Sequence, residues 1–476
     1  MRLMFLASLI ILAEPSALPA TGGGATGPAG SATVQAVPAT DVGRPSQAIL
    51  DTLPIGLRAL ALEVLDRNPE VRELEARAQA AAAQAPQARS LPDPMVGITA
   101  FAAPPETRVG PQRLMTTLSQ AIPWKGKLAA RERAALYHAS ALEARVEARR
   151  LALVTEARRL LHELSFQDRH ATILETLRQH LLQHEEVTRA RYSAGIGLGQ
   201  AVVQLQASIT DTESQLLAIA GRRIRLLAEL NELRDRPPAA PVNAGAPSPP
   251  VPVPADLDSL IGRAVGARPE LSAASAEVER TEVLLELARL GARPDFTIGL
   301  SYTFVERRQD AAGRLMPPPD NGDDILGVQA GITLPIRRRR IASAIEEAEA
   351  LRTAAREARR RTESQIRRTV GDLAQRLPLA WQQLRLADDV LVIQAEESLA
   401  SAQAAYVAGS LGALDLLTAE HVLWNAHTAV ARNQADFLIA LAQLEGAVGG
   451  PLLDSPAFAE AAQASRDDRP RSTRDE

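Results

Sequence analysis

The chain has 476 residues, a formal net charge of −4, 23% charged and only 3% aromatic residues, and no cysteine. That length can bury a large core, and the charge balance supplies no basic footprint for nucleic acid. Without cysteine there is no disulfide framework, thiolate zinc site, cysteine nucleophile or lipid-attachment cysteine near the amino terminus.

Met1-Arg2, the apolar stretch Leu3 to Ala13 and the small residues at 17–20 read as a signal peptide over residues 1–20. A membrane-crossing helix needs about 20 apolar residues, and neither this stretch nor any later one reaches that length without charges. Residues 21–54, rich in Gly, Pro and Ser, predict a flexible leader. The first repeat, 55–236, starts with a helix over about 56–88 and two short strands. A very long helix over about 126–193, a glycine turn and a return helix over about 199–234 complete it. Residues 237–255, almost all proline, alanine and other small residues, predict a linker that holds neither helix nor central strand. The second repeat, 256–450, gives a helix over about 256–290, two strands, a long helix over about 340–407 and a return helix over about 412–446. The polar tail, 451–476, is expected to be disordered.

The two repeats share four landmarks in the same order. Asn-Pro-Glu at 68–70 matches Arg-Pro-Glu at 268–270, and Leu-Pro-Asp-Pro at 91–94 matches Arg-Pro-Asp-Phe at 293–296. Ala-Ile-Pro-Trp-Lys-Gly-Lys at 121–127 matches Thr-Leu-Pro-Ile-Arg-Arg-Arg at 333–339, and Tyr-Ser-Ala-Gly at 192–195 matches Tyr-Val-Ala-Gly at 406–409. The offsets run 200, 202, 212 and 214. Order is kept across one insertion, the signature of a duplication.

The long helices carry a coiled-coil-like seam. From Ala344 and Ala348 it runs through Leu351, Ala355, Ala358, Ile366, Val370, Leu373, Leu377, Ala380 and Leu384, mostly in steps of three and four. Small seam residues allow close antiparallel packing. A helix of that span is a rod of roughly 100 Å, and Pro378 is expected to interrupt and kink it. By themselves the helices fit an ordinary coiled-coil rod equally well.

The strand pairs are more informative. Phe296, Ile298, Leu300, Tyr302 and Phe304 alternate with Thr297, Gly299, Ser301 and Thr303. Leu326, Val328, Ala330, Ile332 and Leu334 alternate with Gly327, Gln329, Gly331 and Thr333. Val96, Ile98 and Ala100, then Leu114, Thr116, Leu118 and Gln120, repeat this more weakly. Period two over about ten residues suits a tilted membrane strand with apolar groups to lipid and small polar groups to a lumen. A soluble hairpin lying against a helix has the same period. Export, and polar faces of Gly, Ser and Thr in place of Lys and Glu, favour the membrane. On that reading Phe296, Ile298, Leu300, Tyr302, Phe304, Leu326, Val328 and Ile332 face lipid.

Four strands cannot close a barrel, and open edges in lipid leave unpaired backbone groups. Copies must then share one: two chains leave room only for side chains, so a conducting pore calls for three or more. The loops at 103–112 and 306–323 would face outside. Lys125 and Lys127, and Arg337, Arg338, Arg339 and Arg340, follow the last strand of each pair, where they can anchor on lipid phosphates or form a solvated charge run.

Enzyme signatures are lacking: there is no triad elbow, paired-carboxylate motif or nucleotide loop in context. Gly195-Ile-Gly-Leu-Gly follows a helix and lacks the Lys-Ser/Thr of a phosphate loop. His180 and His184 have a zinc-compatible spacing with no shell to complete it, and His421 and His427 fall on different helix faces. No metal site, cofactor or catalytic residue is assigned.

The duplicated order of helix, hairpin, long helix, Tyr-x-x-Gly turn and return helix, over about 55–450, resembles the TolC-like outer-membrane efflux channels. Leu-Pro-Asp-Pro-Met at 91–95 and Ser-Gln-Ala-Ile-Pro-Trp-Lys-Gly-Lys at 119–127 look most like the heavy-metal branch, which serves copper–silver or cobalt–zinc–cadmium exporters. The resemblance implies a mainly α fold with membrane β: long-helix hairpins form an α-barrel, and four strands per chain enter a shared trimeric twelve-stranded β-barrel. It also implies a periplasmic adaptor, an inner-membrane RND-type pump and outer-membrane lipid as partners. The turns Tyr192–Gly195 and Tyr406–Gly409 would form the periplasmic tip, and Gly195 and Gly409 suit the positive φ that ends a helix. Asp415 matches a family carboxylate that forms a constricting ring, which would favour cations. Thr418 stands where a second family aspartate is expected, Ala201 takes the equivalent place in the first repeat, and Leu411 replaces a family arginine. Asp415 would equally serve as a helix-start carboxylate. A structural periplasmic coiled-coil or adaptor protein is the alternative reading.

Overall fold

The computed structural model describes residues 44–195, 198–242, 250–252 and 256–452. The signal peptide, most of the leader, the middle of the linker and the tail from 453 lie outside the described residues.

The chain opens with α1 (Pro45–Thr52), α2 (Ile55–Arg67) and α3 (Pro69–Arg89). Two expectations are corrected here. Residues 45–52, assigned to the flexible leader, form a helix whose Ile49 and Leu50 are fully buried against Ala61, Leu151 and Val154. Burial of two large aliphatic side chains outweighs the local Pro and Ser content. The expected helix over 56–88 is two helices, because Asn68 precedes a proline and is excluded from α geometry. Its side chain instead accepts from the amides of Glu70 and Val71, capping α3. The second repeat breaks in the same way at Arg268-Pro269, between α6 (Leu257–Ala267) and α7 (Pro269–Leu290).

Strands β1 (Met95–Ala100), β2 (Glu106–Thr107) and β3 (Gly110–Ile122) lead into α4 (Lys127–Ser193) and the return helix α5 (Gly199–Leu233). In the second repeat α7 leads through β4 (Asp295–Val305), the short α8 (Ala311–Leu315) and β5 (Ile325–Thr333) to α9 (Arg338–Leu386). One π-helical turn over 387–391 separates α9 from α10 (Val392–Val407), and α11 (Ala413–Val448) returns. Pro378 does not interrupt α9; the irregular turn lies nine residues later. A proline removes one amide donor, which a long helix packed on neighbours can absorb.

The helices form four rods side by side. α4 packs on α3 and α5 along one flank and on α7 and α11 along the other, and α9 with α10 packs on α7 and α11. α5 ends against the start of α3, where Asn68 Nδ2 donates to the Leu233 carbonyl and Arg234 pairs with Glu63. α11 ends at the start of α7, where the Arg268 guanidinium donates to the Gly446 carbonyl. The order is therefore α5/α3, α4, α11/α7, α9–α10. Clusters around Leu153, Leu160 and Leu230, and around Val370, Phe437 and Leu444, fill the two halves. The first part of the linker docks here too, with Asn231 donating to the carbonyls of Pro238 and Ala240.

The strands repeat the same order: β1-β3-β4-β5, all antiparallel. Each of these strands joins the rod beneath it, so sheet and rods have matching free edges. The register aligns Val96, Leu118, Leu300 and Val328 in one row and Gly97, Thr117, Ser301 and Gly327 in the next. One face is thus apolar and the other is built of small and polar residues. Phe296, Ile298, Leu300, Tyr302, Phe304, Leu326, Val328 and Ile332 are all exposed on the apolar face. None of the described helices is long and apolar enough to cross a membrane.

Candidate functional site

At the junction of sheet and rods, Gly126 allows the chain to turn from β3 into α4. Lys127 then points inward. Its ammonium donates to Asp295 Oδ1 at 2.8 Å and to the Arg293 carbonyl at 2.9 Å, and Asp295 also accepts from the Trp124 amide at 2.7 Å. Trp124 stacks on Phe296 with centroids 5.9 Å apart. Lys127 is therefore not a boundary anchor for lipid phosphates: it is buried and tied to the other repeat. Lys125, Arg337, Arg338, Arg339 and Arg340 are exposed.

At the far end, the two Tyr-x-x-Gly segments build the same turn. Gly195 has φ 78° and Gly409 φ 76°, and each amide donates to the carbonyl of the tyrosine three residues back. The Arg191 guanidinium sits 4.7 Å from the centre of the Tyr406 ring, which links the two tips. Tyr192 is exposed and its ring lies beside Gly199. Asp415 and Thr418 are exposed one turn apart on α11. The Asp415 carboxylate accepts from the Gly412 amide at 3.4 Å and caps the helix, while the Thr418 hydroxyl donates to the Leu414 carbonyl. The arrangement leaves Asp415 able to serve both as cap and as a solvent-facing charge.

Between tip and junction, the α4–α11 seam carries ionisable groups, of which the sequence reading singled out only His180 and His184. Arg158 pairs with Glu445 at 2.6 Å in nearly complete burial, and Arg432 bridges Glu163 and Asp436. His184 Nε2 donates to the buried Glu420 carboxylate at 2.8 Å, and this hydrogen bond raises the His184 pKa. His180 meets the edge of Trp424, and no zinc shell forms around the pair. Among the described residues no group of three or more His, Cys, Asp or Glu side chains could hold a metal ion. Burial, and then the Arg158 charge, push the His162 pKa down to about 4.

A family described as outer membrane efflux protein matches residues 60–234 and 260–450, both repeats almost in full. The chain belongs to the outer membrane efflux protein family. No curated protein sequence matches it significantly. Among solved structures, the outer-membrane channel OprN is 16% identical, with a TM-score of 0.71 over 86% of this chain and 93% of that one. VceC of Vibrio cholerae is 22% identical, with a TM-score of 0.67 over 83% and 96%. CusC is 18% identical, with a TM-score of 0.69 over 83% and 92%. At these identities the likeness is one of fold: long-helix hairpins below a strand-paired sheet. For this efflux family member, Asp295, Trp124, Arg191 and Glu420 are the residues the sequence reading missed. Their only sequence signals were Pro-Asp after a helix, and charges at the ends or on the apolar face of one.

Proposed function

We propose that three copies of this chain close into one conduit: a twelve-stranded barrel in the outer membrane above a ring of helical rods in the periplasm. The observation that carries this is the pair of matching free edges. β1 and β5 offer unpaired backbone at the two sides of the sheet, which lipid does not tolerate. The rods beneath offer α5 and α9–α10 at the same two sides. Both edge rods carry apolar side chains at intervals of seven or fourteen: Val203, Leu217 and Ile224 on one, and Leu379, Leu386, Ile393 and Val407 on the other. Each is at least half exposed in the single chain. Seven-residue stripes of this kind are made for a partner helix.

The conduit is passive and has no catalytic residue. It receives substrate from an inner-membrane RND-type pump through a periplasmic adaptor that meets the tips at Tyr192–Gly195 and Tyr406–Gly409. The motifs at 91–95 and 119–127 support heavy-metal cations as the cargo, and three Asp415 carboxylates at the narrow end would favour cations. The purified protein in detergent should weigh as three chains and conduct ions across a planar bilayer. A monomer soluble without detergent and silent in the bilayer would instead favour a structural coiled-coil protein. Asp415→Asn removes the charge yet retains a capping oxygen, so it should weaken cation preference at unchanged stability; unaltered selectivity removes Asp415 from the gate. A host strain lacking the gene should become sensitive to copper, silver, cobalt, zinc or cadmium salts. Unchanged metal tolerance sinks the metal assignment alone.

A further inference from the structure

A groove between α7 and α9 opens at the foot of the apolar face of the sheet. Trp124 fixes which side it opens on. Its ring stacks on Phe296, the first apolar-face residue of β4, and the Arg293 guanidinium lies 5.9 Å from the centre of the Trp124 ring. Arg293 therefore stands just below the lipid-facing band, while Lys127 and Asp295 join on the opposite side of the strand. The groove encloses about 430 Å³ and is lined by Arg289, Arg293, Arg352, Arg356, Glu282 and Glu286.

Its carboxylates are already neutralised. Glu282 pairs with Arg356 and Glu286 with Arg133, each at 2.6 Å, and Arg289 pairs with Glu349 at 3.2 Å. Among the described residues, Arg293 and Arg352 have no carboxylate partner, and Arg352 Nε is buried without a hydrogen-bond acceptor. The covered Arg352 Nε, left unmet, costs free energy, and with the exposed Arg293 it gives the groove two cations that no carboxylate offsets, which favours an anion. Guanidinium forks match phosphate oxygens in pairs, which makes phosphate a better fit than a halide or a single carboxylate.

We infer that this groove holds the phosphate of an acidic phospholipid from the periplasm-facing leaflet, and this rests on the outer-membrane reading above. Free inorganic phosphate shares the chemistry. The lipid is favoured because the groove begins where the apolar band ends, so a headgroup seated on Arg293 and Arg352 leaves its acyl chains against Phe296, Ile332 and their row. Anchors of this kind act at the level of the headgroups, with the aromatic ring as the amphipathic neighbour.

The test uses the full chain in neutral detergent with added phosphatidylglycerol, read by native mass spectrometry as lipids retained. The wild type should retain phosphatidylglycerol in preference to phosphatidylethanolamine. Arg293→Gln/Arg352→Gln should weaken retention by about thirtyfold, as expected for two guanidiniums removed from an anionic surface. Arg293→Lys/Arg352→Lys, which keeps the charges, should recover part of it and stays informative if the glutamine variant does not fold. Arg360→Gln/Arg361→Gln, exposed on α9 and outside the groove, should change little. Equal retention by wild type and Arg293→Gln/Arg352→Gln overturns the inference, as does an equal loss in the Arg360/Arg361 variant. Displacement of the lipid by equimolar inorganic phosphate also overturns it, in favour of a free anion. A protein that needs no detergent defeats the outer-membrane reading itself, which is a separate result.

Discussion

Because the Lys127 ammonium is covered and shared between Asp295 and the Arg293 carbonyl, replacing it by methionine leaves the Asp295 carboxylate with only the Trp124 amide. Lys127→Met should lower stability by about 2 kcal/mol, the range for hydrogen bonds to charged groups. Lys125→Met, on an exposed side chain, should stay within about 0.5 kcal/mol, and thermal melts in detergent would show the contrast. The histidines of the α4–α11 seam separate by pH. His162 titrates near pH 4 when folded and near its usual value when unfolded, so acid favours the unfolded chain. Between pH 7 and pH 4 that costs about 3 kcal/mol, and His162→Gln should flatten this part of the acid profile. A variant that loses stability in acid as steeply as the wild type would contradict it. His184 works in the opposite sense, because Glu420 raises its pKa. Its contribution is complete below the unfolded pKa and disappears as pH rises through the folded one, so His184→Gln should weaken the protein in mild acid and not in base.

At the scale of elements, the exposed stripes on α5 and on α9–α10 are the parts of the rods without a partner inside one chain. A carboxylate placed there, as in Leu217→Asp or Leu386→Asp, would have to be desolvated on assembly. Such variants should run as single chains in detergent with helix content unchanged by circular dichroism; a variant that still weighs as three chains would remove that stripe from the interface. The sequence gives these elements unequal visibility. Strand β4 was legible to the residue, since alternation over 295–305 needs no tertiary information. The breaks before Pro69 and Pro269 had a signal, a residue preceding proline, that the helical periodicity on both sides concealed. Helix α1 had almost none, because Ile49 and Leu50 gain their burial from α2 and α4. The inward turn of Lys127 depends on Asp295, which lies 168 residues away in the other repeat. Such pairings cannot be read from spacing.

For the whole molecule, α4 and α9–α10 differ in one mechanical respect. α4 runs unbroken from the junction at Lys127 to the tip at Ser193, about 100 Å at the usual rise. The other rod is interrupted at 387–391 by a turn whose ladder has slipped from four residues to five. A push delivered at Tyr192 would be carried along an unbroken strut to Lys127, Asp295 and the sheet. A push at Tyr406 would meet that irregular turn only fifteen residues away, where the weaker ladder would bend first. The two tips then differ in compliance: one is coupled to the sheet by an unbroken helix, the other through an interrupted one. Hydrogen exchange should find amides at 387–391 and through α10 opening faster than those at the same height on α4, and equal rates would mean that both rods are stiff.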